Sequence, residues 1–176
     1  MKFEQTPLAG AFVVNPDRME DERGFFARTY SHDEFVARGL VSDFVQSSIS
    51  FNQRKGTLRG LHFQKKPYEE AKLVRCTMGA IFDVIVDLRP GSSTLTGWFG
   101  VELNPENRKA LYVPQGFAHG FITLADDSEV LYQISKNYRP DSAGGVRWND
   151  TAFSIKWPAE VTVISDRDGS YPDFPT

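Results

Sequence analysis

The segment Ile81–Leu88 alternates along its length. Phe82, Val84, Val86 and Leu88 share one side of an extended chain, and Ile81, Asp83, Ile85 and Asp87 share the other. Acidic residues interleaved with isoleucines predict a second face that is enclosed yet polar, as at the mouth of a barrel. Short runs of the same kind, punctuated by Gly, Pro, Asn and Asp, recur at 44–51, 57–64, 71–77, 98–103, 110–113, 120–124 and 129–136. Earlier strands are predicted at Gly10–Asn15 and Phe25–Tyr30, with a turn at Asp21–Gly24. Ser31 followed three residues later by Glu34 matches a capping box and opens a short helix that Gly39 ends. From Tyr138 the chain is loopier, with a strand at Val161–Ser165 and a polar tail. So many short strands at this spacing predict an all-β domain, a sandwich or jelly-roll barrel with short flanking helices. Its core spans about 44–136, and residues 1–176 form a single domain without a linker or repeat.

Composition narrows the function classes. A net charge of −3 and a pI near 5.6 give no basic field for nucleic acid or an anionic membrane, so any ligand phosphate must meet a local Arg/Lys cluster. One cysteine, Cys76, excludes an internal disulfide and reads as a small buried strand residue. With neither a hydrophobic leader nor a membrane-length apolar run, the chain reads as cytoplasmic. Fourteen phenylalanines and three tryptophans predict a core or pocket rich in aromatic faces.

The candidate chemistry centres on His62, a titratable imidazole in an apolar strand. It is either a satisfied core histidine or a general base with one nitrogen held by a partner such as Asp168. Lys72 is a solvated strand lysine or a cation for a developing oxyanion. His119, between glycines and aromatics, fits a ligand wall or a turn. Tyr132 is a core aromatic or a proton donor. Arg59 and His62 are an odd number of residues apart and face one pocket only if the strand bulges, which Gly60 permits. A metal site would need His62, His119 and a carboxylate brought together, since three histidines offer no His-x-His pair.

Five motifs then occur in order: KGTLRGLHFQ (Lys55–Gln64), AKLVR (Ala71–Arg75), GAIFDVIVDLR (Gly79–Arg89), PQGFAHGF (Pro114–Phe121) and VRWND (Val146–Asp150). With DERGFF (Asp21–Phe26) and ISDRD (Ile164–Asp168), they closely resemble the dTDP-4-dehydrorhamnose 3,5-epimerase family over nearly the full chain. The resemblance implies a cupin-like jelly-roll barrel, working as a homodimer on a nucleotide-diphosphate sugar with neither metal nor organic cofactor. It assigns His62 as base, Asp168 as its partner, Tyr132 as proton donor and Lys72 as oxyanion cation. Arg23, Phe26, Gln46, Ser48, Arg59, His119, Tyr138 and Arg167 match substrate-binding positions, with the C-terminal strand and tail closing the site. Arg28 and Ala143 stand where many members carry Glu, and Ser48 where Asn is common, which leaves the nucleotide base open. A single-centre epimerase, a metal-dependent cupin and a sugar-binding module are the alternatives.

Overall fold

The computed structural model describes residues 1–175. Its strands are β1 (Lys2–Gln5), β2 (Phe12–Asn15), β3 (Arg18–Asp21), β4 (Gly24–Ala27), β5 (Gln46–Asn52), β6 (Leu58–Gln64) and β7 (Lys72–Met78). They continue as β8 (Ile81–Asp87), β9 (Trp98–Leu103), β10 (Ala110–Val113), β11 (Phe117–Thr123), β12 (Ser128–Ile134) and β13 (Ala143–Gly145). Two short helices, α1 (His32–Val36) and α2 (Asp166–Gly169), flank them. The pairing is antiparallel throughout these strands: six in the order β1-β2-β10-β7-β12-β5, five in the order β13-β6-β11-β8-β9, and the hairpin β3-β4.

The two larger sheets face each other, and alternation decides what lies between them. Val74, Cys76, Leu111 and Val130 from one sheet pack against Ile81, Ile85, Leu103 and Phe121 from the other. The alternate positions of β8 turn outward, where Val84 and Val86 are covered by Val146, Phe153 and Trp157 of the C-terminal segment. The outer face of the six-stranded sheet is covered at Leu73, Ala110 and Tyr112 by Phe35 of α1. Phe35 is fully buried and meets Phe3, Phe44 and Tyr112 edge-on, so one aromatic side chain pins a five-residue helix. Burial of such a ring contributes about 1.5–3 kcal/mol, more than so short a helix could gain from its own hydrogen bonds.

The enclosed polar face predicted for β8 is present, but it lies inside a sandwich. Among the described residues neither sheet closes on itself, so the expected barrel is corrected to two open, facing sheets. Asp83 and Asp87 are fully buried there. Asp87 accepts from Arg89 Nε at 2.9 Å, Ser92 Oγ at 2.6 Å and Thr94 Oγ1 at 2.7 Å. Burial pushes its carboxyl up, yet these bonds and the Arg89 guanidinium win and hold it far below the usual carboxylate range.

Other expectations change too. Ser31 makes no side-chain cap on α1; Glu34 instead accepts from the Met1 ammonium at 2.9 Å. The strand expected at Val161–Ser165 reduces to one parallel bridge, Thr57 to Val163, and α2 follows it. β3 and the edge strands β1 and β13 had no alternating signature long enough to announce them. No described helix is long and apolar enough to cross a membrane.

Candidate active site

β6 carries the feature that makes the site. His62 pairs with His119 and Arg59 with Phe121, so Gly60 and Leu61 together oppose Gly120. This is a bulge, and it returns Arg59 and His62 to the same face, the one turned to the opposite sheet. Gly60 lies at φ +138°, and a Cβ there would come within 2.6 Å of the Gly120 Cα. Only a glycine facing a glycine allows β6 and β11 to approach so closely.

Two adjoining cavities open between the sheets at this bulge. The first, about 290 Å³, is walled by His62, Arg59, His119 and Phe121 from one sheet, with Lys72, Tyr132, Ser48 and Ser50 from the other. The second, about 210 Å³, shares His62, Lys72 and Ile134 and adds Gln46, Glu70, Tyr138, Ala143 and Arg167.

His62 is bonded through Nε2 to Asp168 Oδ1 at 2.8 Å, and its side chain is 42% exposed against 7% for Asp168. Asp168 Oδ2 accepts the Gly60 amide at 3.1 Å. Ser165 caps α2 by accepting the Asp168 amide, which places the carboxylate at the first turn. Burial raises the Asp168 carboxyl, but the His62 bond and charge and the Gly60 amide outweigh it, so the group is held below its ordinary value. The Tyr171 ring packs edge-on against His62, with centroids 5.9 Å apart. His62 is therefore clamped through one nitrogen, and Nδ1 is the ring nitrogen left for a ligand.

Opposite it, burial holds the Tyr132 hydroxyl far above its ordinary pKa, with the Asp83 charge adding and the Arg59 charge opposing. It remains protonated at neutral pH and can donate. Tyr132 stacks edge-on with His119, which is bonded through Nε2 to Asp83 Oδ1 at 2.7 Å. His119 lies within β11 and is nearly fully buried, so the turn reading is corrected to a strand position. Lys72 Nζ lies 3.2 Å from Glu70 Oε1. Arg59 is fixed by Asn52 Oδ1 at 2.7 Å.

Ten of the twelve expected site residues thus meet at one cleft, Gln46 through a bond from the Tyr138 amide to its Oε1 at 2.9 Å. Asp168 reaches it through His62. Arg23 and Phe26 do not: the β3–β4 hairpin carries them away, with the Arg23 side chain 84% exposed and Phe26 64% exposed. Arg28 is also exposed outside the cleft, whereas Ala143 lines it. Glu70 was missed, although its position two residues before Lys72 puts it on the same side of an extended chain. Among the described residues no group of three His, Cys, Asp or Glu side chains is placed to hold a metal ion.

A family model described as dTDP-4-dehydrorhamnose 3,5-epimerase matches residues 5–175. The chain is similar to the dTDP-4-dehydrorhamnose 3,5-epimerase of Methanothermobacter thermautotrophicus, at 43% identity over 97% of this chain and 92% of that one. The crystal structure of the enzyme of that name from Elizabethkingia anophelis superposes with a TM-score of 0.96 at 41% identity, over 99% of this chain and 96% of that one. The Bacillus anthracis counterpart, solved with TDP and PPi bound, gives 0.94 at 40% identity over 98% and 99%. With a family model matched over nearly its whole length and relatives at 40% identity or more, the chain belongs to the dTDP-4-dehydrorhamnose 3,5-epimerase family, a family of isomerases.

Proposed function

We propose that the chain is a cofactor-independent epimerase that inverts C3 and C5 of a dTDP-linked 4-keto-6-deoxyhexose, converting dTDP-4-dehydro-6-deoxy-D-glucose to dTDP-4-dehydro-L-rhamnose. The observation that carries this reading is that His62 and Tyr132 come from opposed sheets and face one cavity. A C4 ketone acidifies the hydrogens at C3 and C5, because either carbanion delocalises onto O4. Inversion then needs a base on one side of the ring and an acid on the other.

His62 takes the proton at Nδ1, and the resulting imidazolium is stabilised by Asp168 at Nε2. Lys72 supports the negative charge on O4. Tyr132 returns a proton to the opposite face, and its raised pKa keeps that proton available until the enolate needs it. Arg59, Gln46 and Arg167 supply donors for the diphosphate and nucleoside around the cleft. Ala143 lines the second cavity at a position where the family resemblance leads one to expect a glutamate, leaving one acceptor fewer for the base.

The working form is a homodimer in the cytoplasm. Met19, Phe25 and Phe26 on the hairpin and Ile49 and Phe51 on β5 are large apolar groups left exposed on the single chain. Exchange of hairpins between two copies would cover them and carry Arg23 and Phe26 to the partner's cleft. The activity is tested by incubation with dTDP-4-dehydro-6-deoxy-D-glucose and identification of the product by NMR. Recovery of unchanged substrate would refute the reading.

A further inference from the structure

Glu70 has no place in the proton transfers above, yet it is one of the most constrained groups in the cleft. Its side chain is 8% exposed and that of Lys72 11%. One carboxylate oxygen, Oε1, faces Lys72 Nζ at 3.2 Å. The other, Oε2, is buried without a hydrogen-bond partner among the described residues. A buried carboxylate oxygen left unpaired opposes folding, and such groups are normally satisfied. Asp83 Oδ2 is orphaned as well, but Asp83 lines neither cavity, whereas Glu70 lines the second one beside Lys72 and His62. The backbone beyond Glu70 is fixed on both sides: the Ala71 amide donates to Ser135 Oγ at 2.8 Å and the Ala71 carbonyl accepts the Ser135 amide at 3.0 Å.

Resting on the epimerase reading, we propose that Glu70 is a sugar-binding residue whose free Oε2 accepts the 3-hydroxyl of the hexose while Lys72 holds O4. O3 and O4 sit on adjacent carbons, about one hydrogen-bond length apart. Nζ and the Glu70 carboxylate present a matching donor and acceptor side by side. A carboxylate only accepts, so it selects a hydroxyl and rejects a second carbonyl at that position. The pair thereby fixes which carbon of the ring presents its ketone to Lys72, and so which two hydrogens meet His62.

The test uses the full chain, Glu70→Ala and Glu70→Gln, with affinities measured by competition against labelled dTDP. The ligands are the 4-keto-6-deoxyhexose nucleotide, its 3-deoxy analogue and dTDP alone. For the full sugar, Glu70→Ala should weaken binding about tenfold or more, the size of a lost hydrogen bond to a charged acceptor, and Glu70→Gln less, since its amide oxygen still accepts. For the 3-deoxy sugar and for dTDP, both variants should stay within about twofold of wild type. Equal losses for the two sugars, or weakened dTDP binding, would overturn the assignment and leave Glu70 a support for Lys72 alone. Wild type that binds dTDP but neither sugar would overturn this proposal together with the functional reading beneath it.

Discussion

Replacing Asp168 by Asn changes one atom and should remove the base. Asp168 Oδ2 accepts the Gly60 amide at 3.1 Å while Oδ1 meets His62 Nε2 at 2.8 Å. In the Asp168→Asn variant the single amide oxygen stays on Gly60, because the alternative sets an NH2 against a backbone N–H. The NH2 then faces Nε2, which must accept, and the His62 proton moves to Nδ1, where a base is needed. Restoring the useful tautomer means leaving the Gly60 amide unsatisfied, a cost of about 1–3 kcal/mol. Exchanging a charged acceptor for a neutral one removes about 1–2 kcal/mol more of imidazolium stabilisation. Together, about 2–5 kcal/mol corresponds to a roughly 30- to several-thousand-fold fall in kcat/KM. Steady-state kinetics with thermal unfolding as control measures it. The folded Asp168 carboxyl titrates below its ordinary 3.8, so its contribution to stability is full above that value and is lost as pH falls through the lower folded pKa. The stability gap between wild type and Asp168→Asn should accordingly persist at neutral pH and close in acid. A variant within tenfold of wild-type activity, or one whose loss merely tracks unfolding, would refute the tautomer argument.

Tyr132→Phe keeps the ring against His119 and loses only the donor, so proton exchange should persist at one carbon while inversion fails, as followed by NMR in D2O; complete loss of exchange would make Tyr132 a binding residue. Gly60→Ala forces a Cβ onto the Gly120 backbone and should cost about 1–3 kcal/mol in chemical denaturation, with activity falling further because Arg59 and His62 lose their common face. Mixing inactive His62→Ala with inactive Phe26→Ala should recover about a quarter of wild-type activity, since half the dimers are mixed and each has one intact site; no recovery would refute hairpin exchange.

The alternation in Ile81–Leu88 disclosed the enclosed acidic face, and the odd spacing of Arg59 and His62 disclosed the need for a bulge at Gly60. Both follow from the two-residue period of a strand, which is local information. Sheet closure is not local: the same alternation serves a barrel and an open sandwich, so the barrel expectation failed. The pairing of His62 with Asp168 spans 106 residues; the residue pattern offered Asp168 as a candidate partner, but nothing local brings the two together, and the resemblance to a family singled it out. The Ser31 cap expected from the motif is absent, and Glu34 accepts from the Met1 ammonium, a contact 33 residues away in sequence that a local pattern does not disclose. Arg23 and Phe26 are legible as site residues only through their motif, because one chain alone does not bring them to the cleft. Glu70 escaped notice because nothing in its local pattern sets it apart from a surface carboxylate; only its burial against Lys72 does.

In the proposed reaction one base and one acid, on opposite faces, exchange carbon-bound hydrogen with solvent. The direct measurement is turnover of dTDP-4-dehydro-6-deoxy-D-glucose in D2O, with deuterium located in the product by NMR. Solvent deuterium should appear at both C3 and C5 in the inverted product. Inverted product with no deuterium at either carbon would rule out proton exchange through His62 and Tyr132.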